Sequence, residues 1–155
     1  MLVHDHEVLT SQVEHVRALV RGLLGKAFAP ESLYEELLQQ ADSLRDQLLE
    51  HFGFEEEAAF PFLVNALSEH AETLRSLSLA HERVVRCLVE VVDLVRLTTK
   101  DTLGLQLGPI AAAFERFANA YSSHVNEESE VLDVMQEQLT GSQRQALSAI
   151  AKKLL

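Results

Sequence analysis

The chain has 155 residues, the length of one ordinary domain, and 47% of them are hydrophobic, enough for a core without disulfides. A net charge of −11 argues against nucleic-acid binding, and one cysteine excludes an intramolecular disulfide and a cysteine-based zinc site. Scarce glycine (6) and proline (3) are typical of a protein that is nearly all helix.

The first predicted helix begins between residues 5 and 11 and ends at about Lys26, with aliphatic side chains recurring at helical spacing. Gly25 and Pro30 mark the first connection. A second helix is predicted from about residue 31 to the mid-60s.

The N-terminal segment has no basic region followed by an apolar stretch, so it is not read as a secretory signal. No run reaches the roughly 18 apolar residues of a transmembrane helix, and a cytoplasmic location without membrane association is expected.

Gly53 and Pro61 interrupt the second helix, and Pro61 predicts a kink or a helix end because it lacks a backbone donor. A third helix is predicted over about 69–98 and a fourth over about 109–139. A short amphipathic helix at 142–154, capped at Gly141-Ser142, reads as a lid or a dimer contact.

These elements predict an all-α fold, an up-down-up-down four-helix bundle over about 10–139 with a short C-terminal fifth helix. The whole chain, 1–155, is expected to form a single domain. A homodimer is one possible assembly, through the C-terminal helix.

The sequence carries two copies of a His-x-x-x-Glu pattern, and a lone histidine on a helical stretch precedes each copy. Four residues span about one helical turn, so both side chains of a pair project from one helix face. Imidazoles and carboxylates that converge inside a bundle suit a first-row transition metal, and two facing half-sites suit two metals bridged by the carboxylates. The predicted metal ligands are His15, His51, Glu55, His81, His124 and Glu128.

Residues on antiparallel neighbours lie at one level when they are equidistant from the turn between them. The midpoint of His51 and His81 is residue 66, and the midpoint of His81 and His124 falls between 102 and 103, both in predicted connections. The midpoint of His15 and His51 is residue 33, inside the predicted second helix. That connection must therefore be asymmetric, or the second helix must begin later.

The remaining histidines are interpreted as structural. His4 and His6 lie near the terminus and are read as surface residues; alternatively they form a lid, or one of them replaces His15 among the ligands. His70 is too far along the third helix from His81 to share a centre, and we expect it to help cap that helix.

Three further side chains near the pattern are open to interpretation. Tyr121 lies one turn before His124 and either donates a hydrogen bond to a metal ligand or packs in the core. Cys87 lies in an apolar run and is read as a buried structural thiol. Glu56, with the other acids beside the two patterns, is read as part of a solvated face.

In this order of ligands the chain resembles the hemerythrin-like, or HHE cation-binding, family. The family carries a histidine on helix 1, H-x-x-x-E on helix 2, a histidine on helix 3, and H-x-x-x-E or H-x-x-x-x-D on helix 4. The resemblance covers residues 10 to about 138 and includes the run Glu55-Glu56-Glu57-Ala-Ala-Phe60-Pro61. It implies a non-haem centre of two iron ions with oxo or hydroxo bridges, in which the four histidines are terminal ligands and Glu55 and Glu128 bridge.

The sequence departs from the family's oxygen carriers at one place. Those proteins have a further histidine one turn away on helix 3, where this chain has the apolar Leu77 and Val85. Four histidines and two carboxylates look more like the di-iron domain of the repair-of-iron-centres proteins, although their cysteine-bearing N-terminal module does not appear here. The more open coordination favours reactive chemistry with dioxygen, peroxide or nitric oxide over reversible carriage.

The leading hypothesis is a di-iron protein that senses, stores or scavenges dioxygen, nitric oxide or peroxide, with no catalytic side chain assigned. The alternatives are a di-iron peroxidase, oxidase or nitric-oxide reductase, an iron donor for iron-centre repair, and a metal-free interaction module that docks through residues 142–154. Manganese and zinc also bind such ligands. The redox partner is not indicated by the sequence.

Overall fold

The computed structural model describes residues 2–24, 31–99 and 101–153, and all regular structure in these ranges is helical. The all-α prediction is therefore confirmed, while the predicted first connection, with Gly25 and Pro30, lies outside the described residues. None of the described helices combines the length and apolar character needed to cross a membrane. The helices are α1 (Leu2–Leu24), α2 (Glu31–Phe54), α3 (Phe60–Ala66), α4 (Ala71–Leu97), α5 (Leu103–Gln138) and α6 (Gly141–Lys153), with a π-helical turn at Glu55–Ala59 and a 3₁₀ turn at Ser68–His70.

The four long helices pack in a cycle. Helix α1 packs against α2 and α5, and α4 packs against the same two helices. Apolar residues recur every three or four positions on the inner face of each helix, which gives each one a stripe to bury. At one end, the Tyr34 hydroxyl of α2 donates to the carbonyl oxygens of Val95 (3.1 Å) and Thr98 (2.7 Å), which fixes α2 against the end of α4.

The hydrophobic core consists of two separate clusters. The first contains residues of α1, α2, α4 and α5, and the second contains residues from Ala59 to Leu67 together with parts of α4 and α5. On α4, His81 lies between Leu77 of the second cluster and Val84 of the first. A buried polar layer therefore divides the apolar interior along the helix axes.

Helix α1 contributes only to the first cluster, and α6 covers part of the second. Leu147 of α6 packs against that cluster, and Ala151 is buried. Thr140, not Gly141-Ser142, caps α6. The Thr140 Oγ1 accepts a hydrogen bond from the Gln143 amide (3.2 Å), and the Gln143 Oε1 accepts one from the Thr140 amide (2.9 Å). The predicted C-terminal helix thus folds back on its own chain.

The second predicted helix is interrupted by a π-helical turn. Helix α2 continues through Gly53 to Phe54, and the Phe60 amide then donates to the carbonyl of Glu55, five residues earlier. Pro61 has no amide hydrogen to donate. The shift from i−4 to i−5 hydrogen bonds therefore occurs beside a position where the helix already lacks one donor. The predicted interruption near Pro61 is present, and its form places Glu55 and Ala59 in the interior.

Helix α5 begins at Leu103, so the predicted start at about residue 109 is wrong. Pro109 lies inside the helix, where its ring leaves the carbonyl of Leu105 without an intrahelical donor. The Leu105 side chain is 80% exposed, so this part of the helix faces water. Proline in the first two turns of an exposed helix end therefore costs little.

Candidate metal centre

Six histidine and glutamate side chains converge in the polar layer, and all six are buried. They form two groups of four, and in each group one donor atom from every residue lies within 4.8 Å of the others. Both groups contain Glu55 and Glu128, as two metals bridged by carboxylates would require. The first group is His6, His51, Glu55 and Glu128, and the second is Glu55, His81, His124 and Glu128.

The two His-x-x-x-Glu pairs have the same local geometry. The Nε2 of His51 lies 2.6 Å from Oε1 of Glu55, and the Nε2 of His124 lies 2.8 Å from Oε2 of Glu128. Each pair spans one helical turn, so both side chains project into the centre from one face, as the spacing predicted.

Glu55 lies at the middle of the cluster. Its Oε2 is 2.9 Å from Nε2 of His81 and its Oε1 is 3.5 Å from Nε2 of His6, in addition to the contact with His51. Glu128 lies 2.8 Å from the Nε2 of His124 and 3.7 Å from the Nε2 of His6. Both glutamates therefore contact His6, and Glu55 makes close contacts to two further imidazoles and Glu128 to one.

Several of these polar atoms are close to one another but not hydrogen-bonded. The Nε2 atoms of His6, His81 and His124 and all four carboxylate oxygens of Glu55 and Glu128 are buried without a hydrogen-bond partner. Buried polar atoms without partners are costly and uncommon. Lone pairs that converge at these distances fit a cation, and the imidazole and carboxylate donors suit a first-row transition metal.

The structure brings five of the six predicted ligands together and corrects the sixth. His15 lies outside the cluster: its side chain is 52% exposed and its Nε2 is 3.8 Å from a carboxylate oxygen of the exposed Glu36. His6 occupies the position that was predicted for His15. Nine residues separate the two on α1, which corresponds to about 13 Å along the helix.

The sequence held two signals for His6. Counting back from the buried residues of α1 in steps of three or four leads to His6, whereas His15 precedes a member of that stripe and faces outward. The midpoint of 6 and 51 is 28.5, between Leu24 at the end of α1 and Glu31 at the start of α2, so the level test favours His6. The buried stripe is Leu9, Val13, Val16, Val20 and Leu23.

His81 is held by groups outside the ligand cluster. Its Nδ1 lies 2.8 Å from Oε1 of Glu56, and its ring stacks on Phe52 with centroids 3.8 Å apart and planes inclined by 10°. Phe60 stacks more loosely, with a centroid distance of 5.8 Å. The sequence predicted Glu56 on a solvated face, and its side chain is 43% exposed. The contact with His81 was not predicted, because it joins residues 25 positions apart on different helices.

Tyr121 contacts the backbone of a cluster residue rather than a ligating atom. Its hydroxyl lies 3.1 Å from Oγ1 of Thr10 and donates to the carbonyl oxygen of His6 at 3.5 Å. Burial raises the pKa of Tyr121 to about 12, so the hydroxyl keeps its proton. Tyr121 therefore packs in the core and also ties α5 to the first turns of α1.

The surrounding groups shift the pKa values of the two glutamates in opposite directions. Burial opposes ionisation of Glu55, but the imidazoles of His51, His6 and His81 outweigh it and hold the pKa of this carboxyl well below its usual range. Burial raises the pKa of Glu128, and the charge of Glu55 adds to that effect against the opposing His124. The pKa of His81 is raised: burial opposes its protonation, but the Glu55 and Glu56 carboxylates outweigh it.

Comparison with known families agrees with this geometry. The family model of the hemerythrin HHE cation-binding domain matches residues 1–133. The chain belongs to this family. Its HHE domain includes all six clustered residues and begins before residue 10, where the sequence resemblance was taken to start. Membership implies non-haem iron binding, and the two histidine–glutamate groups fit a metal site. No curated protein and no solved structure gives a significant match.

The other residues considered lie outside the centre of this HHE domain. His70 is the N-cap residue of α4, as predicted, but its side chain makes no capping hydrogen bond; its Nε2 lies 2.6 Å from Oε1 of Gln138 instead. Cys87 is half-buried beside the first core cluster. The side chain of His4 lies outside the described part of the chain.

Proposed function

We propose that this HHE domain is a non-haem di-iron protein. In this proposal His6 and His51 hold one iron, His81 and His124 hold the other, and Glu55 and Glu128 bridge them. One observation carries the proposal: two groups of four buried donors share both of their carboxylates. The bridge would be completed by oxo or hydroxo oxygen.

The arrangement that we propose for the helices is an up-down-up-down bundle of α1, α2, α4 and α5. The cyclic packing of these helices supports it, because each contacts two others. Connections of a few residues between successive long helices favour antiparallel neighbours. In such a bundle all ligands reach one level from four directions.

The ligand that we propose is small: dioxygen, nitric oxide or peroxide, for sensing, storage or scavenging. Each metal position has two imidazoles and two carboxylates, which leaves coordination positions free for a diatomic or peroxide ligand. Leu77 is 1% exposed and apolar at a position where an oxygen carrier has a further histidine. Iron bound here would supply redox and binding chemistry toward such molecules.

The side chains around the centre would set its access and orientation. Phe52 lies against His81 and contacts His124 edge-on, with ring centroids 5.4 Å apart, which keeps that side dry. The T-shaped contact of His6 with His51, at 4.9 Å between centroids, fixes the rings of the other pair. A dry, oriented ligand set limits the solvent that reaches bound iron.

Metal analysis of freshly purified protein tests the proposal, together with visible spectra under air and after reduction. We expect two irons per chain, one for each group, and ligand-to-metal absorption that changes on reduction. Protein that contains only zinc, or no metal, and whose helicity is unchanged by a chelator would overturn it.

The identity of the α1 ligand is tested by His6→Ala with His15→Ala as its matched control. Loss of His6 removes one of the two imidazoles of the first group, so the iron content should fall toward one per chain. His15→Ala should retain both irons, because its imidazole is exposed and lies outside the cluster. The reverse result would restore His15 as the ligand and contradict the placement of α1.

The second candidate is a redox enzyme: a peroxidase, oxidase or nitric-oxide reductase that uses the same irons. The small number of imidazoles at each metal position favours it, because open coordination allows turnover. Steady-state consumption of peroxide or nitric oxide with an added reductant, lost in His51→Ala, would establish this function. Stable ligand binding without turnover would favour the sensing or storage role.

A further inference from the structure

We propose that Glu56 is a positioning residue for the metal centre: it holds His81 in the orientation and tautomer in which Nε2 faces the metal position. The inference rests on the proposed di-iron function. Its carboxylate contacts Nδ1 of His81, whereas Nε2 of the same ring faces Glu55, so Glu56 acts through His81.

The geometry divides the two nitrogens of His81 between two glutamates. Nδ1 lies 2.8 Å from Oε1 of Glu56, and Nε2 lies 2.9 Å from Oε2 of Glu55. A carboxylate accepts hydrogen bonds and donates none, so Glu56 holds a proton on Nδ1. Nε2, which faces the cluster, is then the nitrogen that is left to bind a metal.

His124 provides the contrast within the same group. Its Nδ1 is buried and has no hydrogen-bond partner, and its Nε2 lies against Glu128. The two imidazoles that would share one metal therefore differ in support. A carboxylate behind a ligating imidazole fixes its tautomer and raises its basicity, and loss of such a partner typically lowers metal affinity about 10–100-fold.

The two adjacent glutamates approach His81 from different sides. Glu55 and Glu56 are adjacent at the start of the π-turn, yet Glu55 is fully buried while the Glu56 side chain is 43% exposed. Glu56 lines a groove of about 440 Å³ with Phe60, Pro61, Arg75 and Ser78. It thus reaches His81 from the solvent side, while Glu55 reaches the same ring from the interior.

The test compares Glu56→Ala with Glu57→Ala, using Co²⁺ as the probe metal and competition with a chromophoric chelator at fixed pH. Glu57 is the matched control because it is adjacent, exposed and equal in charge. Two Co²⁺ ions should bind, and we expect the affinity for the more weakly bound ion to fall about 10–100-fold in Glu56→Ala. The same affinity should stay unchanged in Glu57→Ala. Equal affinities in the two variants would overturn the inference.

A second readout does not depend on metal. NMR of the metal-free, nitrogen-15-labelled protein should show a proton on Nδ1 of His81 that its hydrogen bond protects from exchange with water, and Glu56→Ala should lose this protection. In Glu56→Gln the amide oxygen still accepts from Nδ1, so the protected proton should be retained while metal affinity falls by less than in Glu56→Ala. An Nδ1 proton that is equally protected in Glu56→Ala would contradict the positioning role.

The outcomes separate this inference from the proposed function. Wild-type protein that binds two metals, with Glu56→Ala equal to Glu57→Ala, leaves the di-iron function intact and removes Glu56 from it. Wild-type protein that binds no metal removes both, whatever the NMR spectrum shows.

Discussion

Glu55 and Glu128 occupy the same place in two copies of one sequence pattern, yet they lie in different surroundings. Three imidazoles approach Glu55, whose carboxyl has a pKa well below its usual range. Two approach Glu128, whose pKa is raised by burial and by the neighbouring Glu55. Residues from α1 and α4 create this difference, so the local pattern specifies the donors but not their electrostatic state.

The single histidines that α4 and α1 contribute to the cluster, His81 and His6, also differ in their surroundings. His81 is held at Nδ1 by Glu56 and stacked on Phe52. His6 is steadied through its backbone, whose carbonyl accepts from the Tyr121 hydroxyl. His81 is therefore held by an acid and an aromatic ring outside the cluster, whereas His6 is held by its backbone and by the ring of a second proposed ligand, His51.

The largest effect is expected from neutralising the glutamates one at a time. Glu55→Gln should lose both metals, because Glu55 belongs to both groups and its carboxylate faces one imidazole of the second group and two of the first. Glu128→Gln should retain at least one, since the protein already disfavours charge at this position. Metal content of the two purified variants decides the comparison, and equal loss in both would mean that the glutamates are equivalent.

A smaller effect is expected from Phe52→Leu, which removes the ring that stacks on His81. We expect a loss of about 1 kcal/mol in the free energy of unfolding of the metal-free protein, and weaker metal binding. Phe117→Leu is the control, because Phe117 is fully buried but stacks on Tyr121 and contacts Phe114 at a tilt, rather than stacking on a ligand. Urea unfolding and chelator competition measure the two quantities. If both variants weaken metal binding equally, the stack has no specific role.

The smallest effect is expected from Tyr121→Phe, which removes the hydroxyl contacts with Thr10 and with the His6 carbonyl. A net loss of about 1 kcal/mol in unfolding free energy is expected, with a modest weakening of the metal held by His6. Tyr34→Phe removes comparable contacts to Val95 and Thr98, far from the centre. It should cost similar stability and leave metal binding unchanged; a change in both variants would point to general loosening of the bundle.

Much of the fold follows from the sequence because helical periodicity is a local property. The inner faces of the long helices, the interruption near Pro61 and the short C-terminal helix were all predictable. The start of α5 was not, because Pro109 and the glycine before it read as a boundary. Near an exposed helix end, proline costs one hydrogen bond that water replaces.

The candidate site was predicted less completely. His51, Glu55, His124 and Glu128 follow from spacing within one helical turn, which the backbone fixes. The choice of the α1 histidine depends on the phase of a whole helix, and aligning His15 with His81 as a repeat gave the wrong phase. The contact of Glu56 with His81 joins residues that are 25 positions apart on different helices, and spacing within one helix does not predict such a contact.

The π-turn has a consequence for changes in chain length. It adds one residue between Phe54 and Phe60 without breaking the helix, and the following side chains are turned by about 100° relative to an uninterrupted α-helix. Removing one residue from Glu55–Ala59 would restore the regular register and rotate Phe60 and Leu63 away from the second core cluster. At its exposed positions this segment should therefore accept changes of residue type, whereas a deletion of a single residue would disconnect the metal centre from the second, smaller core cluster.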